Sequence, residues 1–204
     1  MAELLLVRHG ETDWSRSGQH TSWTELPLTE RGAEQARALR PLLAARTLAR
    51  VLVSPRSRAR DTARLAGLLD RAETEPDLRE WGYGEYEGRT TPDILRARPG
   101  WSLWTDGAPG NSPEHPGESP REIGARVDRV LARLAPLLDA DSAAGPTGDV
   151  LLVAHAHVLR VFAARRLGLP VASGALFRLE TATVSSIGTE HGRPTITGWN
   201  IPTT

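Results

Sequence analysis

Two kinds of hydrophobic pattern alternate along the chain. Short continuous apolar runs, typical of strands covered on both faces, occupy residues 4–7, 50–54 and 149–154. Segments in which apolar residues recur at helical spacing follow them, at residues 30–46, 54–69, 120–138 and 157–169. This alternation predicts an α/β fold with helices on both faces of a largely parallel sheet.

Capping residues indicate where three of these helices begin. Thr29 is a predicted N-cap for the first helix. Ser54 is a predicted N-cap for the second, with Pro55 at the first helical position. Ser119 and Glu122 have the spacing of a capping box before the third.

The remaining segments lack a strong period. Residues 9–28 and the Gly-, Pro- and Trp-rich middle are predicted to be loops, apart from a short helix at "TPDILRAR". Residues 142–148 are a predicted linker, and the tail "ALFRLETATVSSIGTEHGRPTITGWN" predicts a strand followed by a hairpin at the sheet edge. We therefore expect a single domain, residues 1–204, built as a three-layer α/β/α sandwich with a mostly parallel central sheet.

Composition excludes several classes of function. The 25 basic and 25 acidic residues give a formal net charge of zero, which argues against a nucleic-acid or anionic-membrane surface. The absence of cysteine excludes disulfides, thiolate metal sites and cysteine nucleophiles. No signal peptide or transmembrane run is evident, so a cytoplasmic protein is expected.

Basic side chains follow three of the predicted strands. Arg8 and His9 end the first, Arg56 and Arg58 lie just beyond the second, and His155 ends a later one. Because ligands bind outside the carboxyl ends of strands in open α/β sheets, we expect these segments to bring two arginines and two histidines to one rim.

Two arginines and two histidines suit phosphate chemistry. Guanidinium groups bind phosphate oxygens in a bidentate manner, and a neutral imidazole can attack phosphorus. Taken singly, a histidine after a strand is more often a packing residue, and Arg58 fits a solvated helix face. The "HAH" pair of His155 and His157 also suits a metal, but no acidic or histidine set completes a shell. The joint pattern favours phosphoryl transfer without metal or cofactor.

A leaving alkoxide also needs a proton donor. The segment "DLREWGYGEYEG" holds three glutamates among aromatic residues, and such surroundings raise the pKa of a carboxyl toward neutrality. Spacing does not choose between Glu80, Glu85 and Glu87.

Together the motifs resemble those of the histidine phosphatase superfamily, which is also called phosphoglycerate-mutase-like. "LLLVRHGET" is similar to its first motif and implies a phosphorylated His9 beside the phosphate ligand Arg8. "RARDTA" implies Arg58 rather than Arg56 as the second arginine. "LREWGYGEYEG" implies Glu80 as the acid and base. "VAHAHVLR" implies His155 as the second histidine.

The chain especially resembles the sedoheptulose-bisphosphatase type of this superfamily, which implies a sugar phosphate or sugar bisphosphate as its small-molecule partner. Ser15 stands where Asn is common, and this shortens or removes one phosphate contact. Ala156 stands where Gly is common. The substrate-binding residues that the resemblance implies are Gly10, Ser15, Gln19, His20, Thr21, Ser22, Tyr83, Ala156, His157 and Arg160.

Three functions follow from these motifs. A cofactor-independent phosphatase is expected first, through a phosphohistidine on His9. A phosphoglycerate mutase is the alternative, but the chain stops soon after "TGWNIPTT", without the closing tail of mutases, so hydrolysis is favoured. A phosphate-binding pseudoenzyme is the third. For its assembly, a homodimer is the expectation.

Overall fold

The computed structural model describes residues 2–110, 112–138 and 147–203, so residues 142–146 of the predicted linker lie outside the described residues. Its strands and α-helices are, in chain order, β1 (Leu4–Arg8), α1 (Asp13–Ser17), α2 (Glu30–Ala44), β2 (Leu48–Val53), α3 (Ser57–Leu65), β3 (Ala72–Thr74), α4 (Thr91–Ala97), α5 (Leu103–Asp106), α6 (Pro120–Leu138), β4 (Asp149–Ala154), α7 (Ala156–Arg166), β5 (Val184–Glu190) and β6 (Arg193–Ile201).

Within the described ranges, six strands form one sheet in the order β3-β2-β4-β1-β5-β6. β1 pairs in parallel with β4, β4 with β2, and β2 with β3. β5 pairs antiparallel with β1, and β6 with β5. The mostly parallel α/β sandwich is therefore confirmed, and the tail hairpin lies at the sheet edge.

Helices cover the sheet on both faces because its central strands are apolar on both. Leu4 and Leu6 of β1 belong to a core shared with α6 and α7, whereas Leu5 and Val7 belong to one shared with α2 and α3. All four side chains are fully buried. Burial of this kind contributes roughly 1.5–3 kcal/mol for each large aliphatic side chain, which fixes the register of the strand.

The caps of α2 and α6 form as the sequence predicts. The Thr29 hydroxyl accepts a hydrogen bond from the Gly32 N–H at 3.0 Å. Ser119 and Glu122 form the predicted capping box. The Glu122 N–H donates to the Ser119 hydroxyl at 3.3 Å, and the Ser119 N–H donates to the Glu122 carboxylate at 2.8 Å.

The predicted start of α3 is wrong. The helix begins at Ser57 rather than Pro55, and its first N–H donates to the Glu25 carboxylate at 3.0 Å. The hydroxyl of Ser54, the predicted cap, lies 2.7 Å from His155 Nε2 instead. Two partners distant in sequence thus move the helix start.

The tail also departs from its prediction. Its hairpin is present as β5 and β6, but the strand expected before it is replaced by a 3₁₀ helix, Val171–Leu176, and irregular backbone. The carbonyl of Leu179 accepts a hydrogen bond from Arg8, and that of Arg178 accepts from Trp199 and Asn200. Side chains satisfy this backbone where a neighbouring strand would have done so.

Candidate active site

The carboxyl ends of β1, β2 and β4 lie side by side. Arg8 pairs with Ala154, and the His9 N–H donates to the Ala154 carbonyl at 2.9 Å. The Ser54 N–H donates to the Val153 carbonyl at 3.0 Å. Parallel register therefore brings the three strand ends to one edge, beside a cavity of about 350 Å³. The cavity is lined by Arg8, His9, Trp14, Ser15, Gly18, Gln19, His20, Thr21, Glu80, Tyr83, Thr91, Ala156, His157, Arg160, Arg178, Leu179 and Glu180.

His9 lies on the cavity with one nitrogen bound to the main chain. Its Nδ1 lies 2.8 Å from the Gly10 carbonyl, which only accepts, so Nδ1 carries the proton and Nε2 the lone pair. Burial, with the positive charges of Arg58 and Arg8, holds the pKa of His9 well below its ordinary value. The imidazole is therefore neutral at physiological pH and has the form of a nucleophile.

Gly10 supports this arrangement from outside the cavity. Its N–H donates to the Thr62 hydroxyl at 3.0 Å, and a Cβ at this position would lie 2.3 Å from the Gly32 carbonyl oxygen. The residue is a glycine because α2 packs directly against it. The structure places it behind His9 rather than on the cavity, where the resemblance implied it.

Arg8 is the cation that lines the cavity beside His9. Its Nη1 donates to the Leu179 carbonyl at 2.8 Å, while its buried Nε has no partner among the described residues. Burial lowers its pKa from the ordinary value, but the nearby carboxylates, Glu80 first among them, oppose this. A guanidinium with unused donors next to a neutral imidazole suits a tetrahedral anion.

Arg58 and His155 join the same cluster but do not line the cavity. Both are fully buried, and the His155 ring lies 5.2 Å from that of His9. Arg58 Nε donates to His155 Nδ1 at 3.2 Å, so the ring proton of His155 is on Nε2, which donates to Ser54. Burial and the charge of Arg58 hold the pKa of His155 well below its usual range.

Arg58 and His155, which the resemblance implies as phosphate ligands, already bind other parts of the protein. Besides His155, the Arg58 guanidinium donates to the carbonyls of Thr21, Ser22 and Thr24. These bonds use four of the five N–H groups of Arg58, and both nitrogens of His155 are engaged. The pair ties the strand ends to the loop at residues 21–24.

Among the three glutamates that the sequence left open, Glu80 is the one that lines the cavity. Its Oε1 accepts from the N–H groups of Trp81 and Val158, and its Oε2 from that of His157 at 3.0 Å. Glu80 thus sits at the N-terminus of α7, with one acceptor position left on Oε2. Glu85 is exposed, and Glu87 accepts from the loop residues 22 and 24.

Aromatic and imidazole rings form the wall of the cavity beyond Glu80. The Tyr83 hydroxyl lies 2.6 Å from His157 Nδ1. Burial is the largest cause of the pKa of Tyr83 lying well above its ordinary value, and the charges of Glu80 and Glu87 add to it. The phenol therefore keeps its proton and donates it to His157 Nδ1. Burial is the largest cause of the pKa of His157 lying well below its ordinary value, and the charge of Arg160 is the next. Because the ring is neutral and its Nδ1 accepts from Tyr83, His157 carries its proton on Nε2. His155 and His157 thus bind different partners, Ser54 and Arg58 for the first ring and Tyr83 for the second.

Two further basic side chains line this wall. His20 stacks 4.5 Å from Tyr83, between ring centroids, and burial lowers its pKa to about 4. The Arg160 guanidinium lies 4.5 Å from the centre of the Trp104 ring, and burial lowers its pKa to about 10. Its Nε and Nη2 donate to the carbonyls of Gly174 and Ala175.

The other implied substrate contacts divide into two groups. Ser15, Gln19, Thr21 and Ala156 line the cavity, although the Ser15 hydroxyl serves the cap of α1 by donating to the Thr12 carbonyl at 3.0 Å. Ser22 does not line it: the residue is 2% exposed, and its N–H donates to the Glu87 carboxylate.

Sequence reasoning missed six lining residues: Trp14, Gly18, Thr91, Arg178, Leu179 and Glu180. The hydrogen bond from Arg8 to the Leu179 carbonyl brings the tail segment to the cavity. Nothing in the pattern of that segment, which predicted a strand, indicated such a contact. Thr91 follows the N-cap of α4, and its hydroxyl lies 3.3 Å from His20 Nε2.

These features define an α/β protein with a neutral histidine and a guanidinium on a cavity at the carboxyl edge of its sheet. The chain belongs to the histidine phosphatase superfamily, branch 1, whose family model matches residues 4–202. The resemblance drawn from its motifs is thereby confirmed.

Its relatives include phosphatases. An acid phosphatase of Mycobacterium tuberculosis is 41% identical over 191 residues, covering 93% of this chain and 87% of the relative. A sedoheptulose 1,7-bisphosphatase of Saccharomyces cerevisiae is 36% identical over 190 residues, covering 82% and 68%. The solved structure of an open reading frame product of M. tuberculosis has a TM-score of 0.87 at 38% identity, covering 100% of this chain and 99% of that chain.

Within the described part of the chain, no helix has the length and apolar character needed to cross a bilayer.

Proposed function

We propose that the protein is a metal-independent phosphatase that hydrolyses a phosphate monoester of a sugar through a phosphohistidine on His9. The observation that carries this proposal is the state of His9. Its imidazole is held neutral, its proton is fixed on Nδ1 by Gly10, and it lines the cavity beside Arg8.

The first half-reaction transfers the phosphoryl group to the enzyme. His9 Nε2 attacks phosphorus, an N–P bond forms and the bond from phosphorus to the sugar oxygen breaks. Arg8 stabilises the charge on the phosphoryl oxygens. Glu80 gives a proton to the departing oxygen from its carboxyl, which lines the same cavity.

The second half-reaction restores the enzyme. A water molecule attacks phosphorus, Glu80 takes a proton from it, and the P–N bond breaks to release phosphate and neutral His9. In this scheme the positive charge of Arg58 favours the unprotonated imidazole, as its effect on the pKa of His9 indicates. His155 would reach the phosphoryl group by exchanging one of its two present hydrogen bonds.

The lining of the cavity supports a small, hydroxyl-rich substrate. Its volume of about 350 Å³ lies at the lower end of the range for small-molecule sites. Besides Arg8 and Arg160, polar side chains such as Gln19, Thr21 and Tyr83 line it. The sugar bisphosphatase among the relatives supports the same class of substrate.

One observation favours the mutase alternative. His9 is 5% exposed, and a mutase has to shelter its phosphohistidine from water until the substrate has reoriented.

A phosphate-release assay tests the proposal and separates these functions. With a panel of sugar phosphates, sugar bisphosphates and 3-phosphoglycerate, we expect inorganic phosphate to be released from sugar substrates without interconversion of the phosphoglycerates. His9→Ala should abolish release, and His115→Ala, which alters a histidine away from the cavity, should leave it unchanged. Interconversion without phosphate release would establish the mutase instead. Binding without either reaction would indicate a pseudoenzyme.

A further inference from the structure

A buried ion pair lies behind the segment that carries Glu80. Arg126 of α6 is 2% exposed and Glu118, two residues before that helix, is 6% exposed. Arg126 Nε donates to Glu118 Oε1 at 2.7 Å, and Nη2 donates to Oε2 at 2.9 Å. This is the fork geometry of a strong, oriented pair. Neither residue lines the active-site cavity.

Arg126 uses its remaining donors on the main chain of this segment. Nη1 donates to the carbonyls of Asp77 at 2.6 Å and Arg79 at 2.8 Å, and Nη2 donates to that of Glu80 at 3.2 Å. Together with the two bonds to Glu118, these contacts engage all five N–H groups of the guanidinium. One side chain therefore holds three carbonyls within four consecutive residues.

Glu118 holds the same segment on the other side of Glu80. Its Oε2 accepts from the Gly82 N–H at 3.0 Å, and its main-chain carbonyl accepts from Trp81 Nε1 at 2.8 Å. A Cβ on Gly82 would lie 2.7 Å from the Pro116 carbonyl oxygen, so the two segments are in close contact. The backbone on both sides of Glu80 is thus fixed by the pair.

We propose that Arg126 and Glu118 are positioning residues that hold the Glu80 carboxylate at the distance and angle needed for proton transfer. This rests on the proposed role of Glu80 as acid and base. The Glu80 main chain binds Arg126, while its side chain accepts from the N-terminus of α7. Since the carboxylate is held from both directions, a shift of the segment at residues 77–82 moves it relative to His9.

A buried ion pair does not by itself indicate stabilisation, because well-packed apolar residues often replace such a pair at no cost. Here three of the five donors bind main-chain carbonyls, which apolar side chains would leave without partners. The arrangement therefore favours control of local backbone geometry.

The test is the dependence of turnover on the leaving group. Glu118→Gln keeps the shape of the side chain and one of its two acceptor oxygens, but it removes the charge and replaces the other oxygen by a donor. Arg126→Lys keeps the charge but cannot reach all three carbonyls. We expect each variant to lower kcat/KM, which covers the steps up to phosphoryl transfer to His9, about tenfold or more on an alkyl phosphate, as a partial loss of general-acid catalysis. On 4-nitrophenyl phosphate, whose leaving group needs no proton, we expect less than about a threefold change in kcat/KM.

Two further variants complete the experiment. Asp128→Asn breaks an exposed ion pair between α6 and α7, where Asp128 binds Arg165, and should change neither rate. Glu80→Gln should itself show the strong leaving-group dependence, and adding Glu118→Gln to it should cause no further loss on the alkyl phosphate. Thermal unfolding shows whether each variant is folded at the assay temperature. If Glu118→Gln is unfolded there, Arg126→Lys alone tests the proposal.

The outcomes separate the two claims. Equal losses of kcat/KM on both substrates in Glu118→Gln and Arg126→Lys, with Glu80→Gln selective, would overturn the positioning role alone. Equal losses of kcat/KM on both substrates in Glu80→Gln would overturn the acid role of Glu80 and the positioning proposal with it.

Discussion

At the scale of single residues, the histidine that follows β1 is surrounded by groups that oppose its protonation. Burial is the largest cause of its lowered pKa, followed by the charges of Arg58 and Arg8. The backbone contact to Gly10 favours the charged form but does not prevail. The same cations that suit a phosphate therefore keep the imidazole available as a base or nucleophile.

The effect of Arg58 on His9 gives a prediction for the pH profile. Removing this positive charge in Arg58→Gln removes repulsion against the imidazolium, so the pKa of His9 rises. The neutral fraction at mildly acid pH then falls, and the acid limb of kcat/KM should move to higher pH.

Arg56→Gln is the matched control, because Arg56 lies two residues away and is not among the causes of the shift at His9. The profiles are measured as initial rates of phosphate release between pH 4 and 8. An unchanged acid limb in Arg58→Gln, or a limb moved to lower pH, would contradict the electrostatic role of Arg58.

Residues differ in how far the sequence predicts their place. Arg8, His9 and His155 could be placed because each follows an apolar run, and parallel strands end at one edge. Glu80 could not be separated from Glu85 and Glu87 by spacing. Its position depends on the N-terminus of α7, more than seventy residues away along the chain.

At the scale of elements, helix termini depend on whether their caps are local. The cap of α2 is local: the Thr29 hydroxyl accepts from Gly32 three residues later. The cap of α3 is not, because Glu25 supplies it from a distant loop while Ser54 binds His155. The sequence therefore predicts the first helix start and not the second.

The local cap of α2 gives a prediction for stability. Thr29→Ala removes the acceptor for the Gly32 N–H, and the free energy of unfolding should fall by about 1 kcal/mol. Urea denaturation measures the change. Thr105→Ala, at an exposed position in α5, is the control and should change it by less than about 0.5 kcal/mol. Equal effects of the two variants would show that the cap adds nothing.

At the scale of the whole molecule, four imidazoles of the described chain, three of them buried and that of His157 half-buried, share one direction of pKa shift. Burial is the largest cause of the lowered pKa at His9, His20, His155 and His157. In the unfolded chain a histidine takes up its proton near pH 6.5. Below that pH the unfolded state therefore binds more protons than the folded state, and stability falls as pH falls.

His20 makes this prediction quantitative. Its pKa of about 4 in the folded protein, against 6.5 in the unfolded chain, gives a loss of about 2 kcal/mol between pH 7 and pH 5. Urea denaturation at the two pH values should show a smaller loss in His20→Gln by about this amount. His191→Gln, at an exposed position in the β5–β6 turn, should keep the wild-type loss. The same loss in all three proteins would contradict the shift at His20.

The architecture of the molecule was largely predictable, whereas the boundary of its cavity was not. The apolar runs and helical periods determine the sheet and the helices that cover it. The tail segment at residues 178–180 and the loop at residues 21–24 reach the site through main-chain carbonyls that bind Arg8 and Arg58. Any residue carries such carbonyls, so no side-chain pattern reveals these contacts.

The most direct test of the proposed mechanism is to trap the phosphorylated enzyme. We expect rapid mixing with a ³²P-labelled sugar phosphate, followed by alkaline quenching, to give an acid-labile adduct that peptide mass spectrometry locates on His9. The adduct should be absent in His9→Ala and present in His115→Ala. Phosphate release at the wild-type rate with no adduct, or an adduct on another residue, would contradict nucleophilic attack by His9.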